Sequence, residues 1–226
     1  MTAASSIDHL VVAADTLEQG VQWCEATLGV TPGPGGQHPL MGTHNRLLRI
    51  STEGYPRAYL ELIAIDPAAP PPGRRRWFDL DDVVVKQKVR QQPRLVHFVA
   101  RTGDAQSALQ ALQRMGIDRG ELIAAQRRAT NAMLSWRITV RPDGQRLFHG
   151  GLPTLIEWDG AHPADAMPDA SLALRSLQVS YPRPADLAAA YAAIGLQGVA
   201  VEQGMPNLTA KLATPKGIVT LQSEGF

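Results

Sequence analysis

Apolar residues in this chain run together over short stretches, then recur every three to four positions, and the succession of these patterns repeats. Residues 7–13, IDHLVVA, form a β-branched run that predicts a strand. Behind it Leu17, Val21, Cys24 and Leu28 recur at helical spacing, with Asp15 suited to capping the helix start and Gly29 to stopping it. Alternation puts Ile7, His9 and Val11 on one face of the strand and Asp8, Leu10 and Val12 on the other, so His9 points into an apolar surface. The following stretch, VTPGPGGQHPLMGTHN, is too rich in Gly and Pro for regular structure over most of its length. It predicts a loop, with room for one short strand, that carries His38, His44 and Asn45. Strands over 46–51 and 58–65 come next, separated by a turn at 53–56.

The order then starts again. DPAAPPPG at 66–73 reads as a linker, and 77–85 as a short surface segment docked by Trp77 and Phe78. Residues 94–101, RLVHFVAR, form a strand containing His97. A turn at 102–104 leads into a helix with the stripe Ala108, Leu109, Leu112 and Met115, ended by Gly116. Strands are expected over 122–126, 133–140 and 153–158, with RPDG at 141–144 marking a hairpin. From residue 173 the order begins a third time: strand LALRSLQV, a helix over 185–194, then strands GVAVEQ, LTAKLAT and IVTLQS. This third copy has no histidine in its first strand and ends in Gln222 where the others carry glutamate.

These patterns divide the chain into a first unit at 6–66, a linker and docked segment at 67–93, a second unit at 94–160 and a shorter C-terminal unit at 173–224. The predicted fold class is α+β, built from repeated βαβββ modules. One such unit leaves its sheet half covered, so the units are expected to pack in pairs around a concave sheet.

Charge narrows the partners. With 22 Lys+Arg against 21 Asp+Glu, no net field attracts nucleic acid or an acidic membrane surface, and no apolar run reaches membrane-spanning length. Arg74, Arg75 and Arg76 read as a solvated surface run. A small-molecule substrate is the expected partner, with a homodimer possible through the third unit. The single cysteine, Cys24, excludes an internal disulfide, and a cytoplasmic location is expected.

Four residues stand out chemically. His9 and Glu61 lie in the first and last strands of unit one, and His97 and Glu157 in the corresponding strands of unit two. Carboxylates in apolar strands are costly unless paired or bound to a cation. If the two sheets face one another, two imidazoles and two carboxylates suit a divalent cation such as zinc, nickel, manganese or iron(II). Glu157 has a second reading as an outward residue, because Ile156 and Trp158 share the other face of its strand. His38, His44 and Asn45 are candidates to hydrogen-bond a substrate oxygen. His149 and His162 read as surface or turn residues, and the tryptophans as packing residues or an aromatic lining.

The stretches IDHLVVAADTLEQGVQWCEATLGV, GGQHPLMGTHNRLLRI, YLELIAIDP and GLPTLIEWDGAHPA resemble the vicinal oxygen chelate superfamily, and within it the bacterial glyoxalase-like domain group. The resemblance implies paired glyoxalase/bleomycin-resistance/dioxygenase-like modules and puts His9, Glu61, His97 and Glu157 on the metal-ligand positions of glyoxalase I. It implies a divalent-metal-dependent enzyme of the lyase/isomerase or dioxygenase type, in which Glu61 or Glu157 leaves the metal to move a proton. The alternative is a metal-free protein that binds and sequesters a small molecule.

Overall fold

The computed structural model describes residues 4–128 and 133–225. Unit one runs β1 (Ser5–Ala13), α1 (Leu17–Leu28), β2 (Gln37–His38), β3 (Thr43–Arg49) and β4 (Tyr59–Ile65). Thr16, rather than Asp15, caps α1: its side chain accepts from the Gln19 N–H, while Gly29 ends the helix in the left-handed conformation (φ 78°) that glycine adopts without a Cβ penalty. A connecting helix, α2 (Val83–Gln91), leads to unit two: β5 (Arg94–Thr102), α3 (Ala105–Arg114), β6 (Glu121–Arg128), β7 (Met133–Val140) and β8 (Thr154–Asp159). In both units the first strand pairs in parallel with the last, and β1 joins β5 antiparallel at the seam. One curled eight-stranded sheet results, in the order β2-β3-β4-β1-β5-β8-β7-β6.

The linker contains more structure than expected. A short 3-10 turn at Trp77–Asp79 precedes α2, which is capped by Asp82, whose carboxylate accepts from the N–H groups of Val84 and Val85. Only Val85 and Val89, one turn apart, are buried on it, so its apolar signal in the sequence is faint. Those two valines, with Phe78 and Leu80, pack on Val11, Ala13, Ile63, Val96 and Val99. They plug one end of the concave face and leave the end at His9 open.

The third unit keeps the predicted element order: β9 (Ala173–Tyr181), α4 (Pro184–Ala193), β10 (Val199–Gln203), β11 (Asn207–Thr214) and β12 (Gly217–Gln222). Its pairing differs from that of units one and two. Here β9 lies between β10 (parallel) and β11 (antiparallel), giving β10-β9-β11-β12. This sheet packs on the helical side of the large one: Leu174, Leu177, Val179, Leu208 and Leu212 join Leu10, Val12, Leu28, Leu60 and Phe98 in one core. Backbone bonds from Leu174 N–H to the Ile50 carbonyl and from Gln197 N–H to the Ser5 carbonyl stitch it to unit one. The third unit therefore backs the seam between the first two and leaves their concave side free. No helix among the described residues is long and apolar enough to cross a membrane.

Candidate functional site

The site begins with an irregularity in β1. Ile7 pairs with Ala100 and His9 with Val99, so Asp8 is an extra residue, a β-bulge. Ile7 therefore packs in the helix-side core with Leu10 and Val12. Asp8 and His9 both turn to the concave side, which corrects the strict alternation expected from the sequence. Their side chains meet there, His9 Nδ1 standing 2.6 Å from Asp8 Oδ1.

Asp8 is completely buried and its hydrogen bonding is full. The indole N–H of Trp158 on β8 donates to Oδ2 at 3.0 Å. His162, in the connector after β8, is buried rather than exposed on a turn, and reaches the same oxygen at 3.0 Å through Nε2. The Nδ1 of His162 accepts from the Ala164 N–H, which leaves the ring proton on Nε2, directed at Asp8. Burial alone would raise the Asp8 carboxyl, but the hydrogen bonds from His162 and His9 outweigh it and hold the group well below the usual carboxylate range. An ionised Asp8 requires a proton on His9 Nδ1, and in neutral His9 this leaves Nε2 bare.

On the next strand Tyr59 stacks on the His9 ring at 4.5 Å. Glu61, two residues on, presents Oε2 3.6 Å from His9 Nε2. The other oxygen of Glu61 accepts from Asn45 Nδ2 at 2.5 Å. The Asn45 amide cannot turn round, because its Oδ1 accepts from the Gly36 N–H at 2.8 Å. The same amide nitrogen lies 3.3 Å from His38 Nε2, which makes that nitrogen an acceptor and places the His38 proton on Nδ1, toward Thr43 Oγ1 at 3.0 Å. Burial pushes His38 down to about 4, so it is neutral near pH 7. Nitrogen lone pairs of two imidazoles thus lie beside one carboxylate.

These residues floor a small concave cup. Leu47 and Tyr59 line one side, Trp136, Ile138, Ile156 and Trp158 the other, and Trp77 and Phe78 form a further wall. Phe78 holds a left-handed backbone (φ 60°, ψ 27°), an uncommon state for a bulky residue, and its ring sits 5.1 Å from His97. Arg127 of β6 lies at the rim.

The structure unites His9, Glu61, His38 and Asn45 from the expected set, and places the other three elsewhere. His97 is fully buried and spends both ring nitrogens on its own unit: Nδ1 donates to the Gly150 carbonyl at 3.1 Å, and Nε2 accepts from the Thr154 N–H at 3.1 Å. Burial, reinforced by the charges of Arg119 and Arg146, keeps His97 well below the ordinary imidazole value. Glu157 takes the outward alternative. Its Oε2 accepts from the Ala105 N–H at the start of α3 and its Oε1 from Arg137 at 2.6 Å, on the helix side, while Ile156 and Trp158 face the cup. His44 alternates away from Asn45 along β3, its Nδ1 4.0 Å from Asp66. His38, His44 and Asn45 lie on strands rather than in a loop, because β2 and β3 pair through the glycine-rich stretch.

His97 and Glu157 thus point away from the cup that holds His9 and Glu61, and the four side chains do not converge. Among the described residues no group of three or more His, Cys, Asp or Glu is placed to hold a metal ion.

The family profile described as a glyoxalase-like domain matches residues 7–195. The chain belongs to this glyoxalase-like family. Among solved structures, it is similar to a hypothetical protein from Staphylococcus aureus at 13% identity, with 96% of this chain and 85% of that one covered and a TM-score of 0.58. It is also similar to Streptomyces coelicolor methylmalonyl-CoA epimerase in complex with 2-nitronate-propionyl-CoA, at 16% identity over 71% of this chain and 100% of that one, TM-score 0.43. The methylmalonyl-CoA epimerase from Mycobacterium tuberculosis is similar at 18% identity over 71% of this chain and 91% of that one, TM-score 0.38. No curated protein matches the chain. The glyoxalase-like match covers units one and two and reaches past α4 of the third, so the cup lies wholly within it.

Nothing in the sequence pattern marks Asp8, Tyr59 or Arg127 for this cup, and the pattern suggests only a surface or turn place for His162 and packing or lining for Trp158. The histidine of GAHPA was the available signal, since it belongs to the quoted family resemblance.

Proposed function

We propose that this glyoxalase-like protein is an enzyme that takes a proton from carbon in a small carbonyl substrate and returns one, an isomerase-type reaction with Glu61 as the base. One observation carries the reading. Glu61 is a nearly buried carboxylate at the floor of an aromatic cup, its Oε1 fastened by Asn45 and its Oε2 facing a histidine that a buried aspartate orients. A general base needs such an oxygen within reach of substrate and a neighbour to share the proton. The C–H proton passes to Glu61, the electron pair of that bond is delocalised into the carbonyl as an enolate, and reprotonation from Glu61 closes the cycle. His9 Nε2 is placed to exchange the proton held on Glu61.

Three indole rings at the wall, Trp77, Trp136 and Trp158, also favour simple sequestration of an apolar molecule. Solvent-deuterium incorporation separates the two. Small carbonyl compounds incubated with the protein in D2O should gain deuterium at the carbon beside the carbonyl, and Glu61→Gln should bind them yet lose the exchange by at least about a hundredfold. Binding without exchange in the wild type would leave sequestration.

A further inference from the structure

The cup has one Arg or Lys among its described lining residues, the half-buried Arg127 of β6. Among the described residues no carboxylate pairs with it; its one hydrogen bond, at 3.4 Å, is to the Gly35 carbonyl across the rim. Room is left for it on the opposite side. A Cβ on Gly36 would stand only 2.5 Å from its Nη1, so the guanidinium lies where only a glycine leaves space. The arginine thus spans from unit two to unit one at the mouth, within electrostatic range of His38 and Tyr59.

Position adds a second observation. A shallow groove runs outward from the cup between the loop at 31–35 and the segment at 161–170, and the two share Leu47, Arg127 and Pro163. The groove is largely apolar, with Pro34, Leu134, Ala166 and Met167 along it. Arg127 stands at the junction, where a bound molecule passes from the reactive floor to the surface.

We propose that the cup takes a small organic carboxylate, anchored by a bidentate pair with Arg127, with the apolar remainder of longer substrates lying in the groove. The inference rests on the proton-transfer reading, whose substrate class it names. One planar guanidinium matches one planar carboxylate. A phosphate would bring about two negative charges toward Glu61, and Arg127 is the single Lys or Arg in the cup's described lining, Arg49 lining the groove outside it.

Phenylacetate and its uncharged amide, phenylacetamide, are suitable probes, titrated against the fluorescence of the tryptophans in the wall. Wild type should bind the anion roughly tenfold to a hundredfold more tightly than the amide. In Arg127→Gln that preference should vanish while amide affinity stays, and Arg127→Lys should retain part of it. Equal affinity for both probes in wild type, a preference that survives Arg127→Gln, or no anion binding at about 10 mM would each overturn the proposal. Deuterium exchange keeps the two readings apart: an intact anion preference in a wild type that does not exchange sinks the proton-transfer reading alone, and exchange without an anion preference sinks this one alone.

Discussion

Asp8 offers the sharpest perturbation, because its bulge turns it toward three N–H donors in a site closed to solvent. Asp8→Asn keeps one oxygen, which can still serve His162 and Trp158 at the Oδ2 position, but it turns an N–H2 toward His9 where an oxygen 2.6 Å away stood before. One charge-assisted hydrogen bond is lost, about 2 kcal/mol. Asp8→Ala leaves all three donors unmatched in a dry site. Their desolvation costs are not independent, so the total should be on the order of 3–5 kcal/mol rather than a full threefold sum. For a chain of this size each kcal/mol lowers Tm by about 2–4 °C, so Asp8→Asn should melt roughly 4–8 °C low and Asp8→Ala distinctly lower. Thermal and urea unfolding followed by circular dichroism at pH 7 measure both variants. The folded Asp8 carboxyl lies below its unfolded value, so its contribution is complete above about pH 4 and is lost as the pH falls below that. The gap between wild type and Asp8→Asn should therefore narrow in acid. Asp8→Asn as stable as wild type, or Asp8→Ala no worse than Asp8→Asn, would refute the network.

Other consequences follow from the same contacts. His38 is pushed down from 6.5 to about 4, so the unfolded chain binds a proton in that window that the folded one does not; stability should be full above pH 6.5 and fall by roughly 3 kcal/mol toward pH 4, with His97 adding to the slope. His38→Gln should flatten that slope in urea titrations taken at successive pH values. Gly35→Ala would drive a methyl group into the Asn45 carbonyl and side-chain oxygen, so it should cost about 2 kcal/mol or more and release the Asn45 grip on Glu61, seen as lost deuterium exchange. Tyr191→Phe removes a buried hydroxyl bond of 2.5 Å to the Gly151 carbonyl and should cost about 1 kcal/mol in urea unfolding without altering exchange.

How much the sequence discloses depends on which force decides each residue. Period-2 and period-3.6 patterns locate the principal strands and the helix of each unit, since burial of one face enforces them. Glu61 is legible because an acidic residue amid leucines and isoleucines has to be accounted for. Asp8 is illegible because a bulge breaks the period by one residue, and nothing in IDHLVV marks which residue is extra. His97 looks equivalent to His9, but its nitrogens are consumed by the Gly150 carbonyl and the Thr154 N–H, groups far along the chain that only folding brings to it. The third unit shows the limit for topology: its element order is right, yet nothing in its strand patterns marks that β9 pairs with β10 rather than with β12. Glu157 is decided by alternation, with Ile156 and Trp158 claiming the cup and leaving it to Arg137 and α3.

In the proposed reaction the reactive group is the carboxylate of unit one, not one shared between the units. Deuterium incorporation into a small carbonyl carboxylate, measured side by side for wild type, Glu61→Gln and Glu157→Gln, tests it most directly. Wild type and Glu157→Gln should exchange at similar rates and Glu61→Gln should not exchange. Loss of exchange in Glu157→Gln with Glu61→Gln still active would instead make the carboxylate of unit two the base.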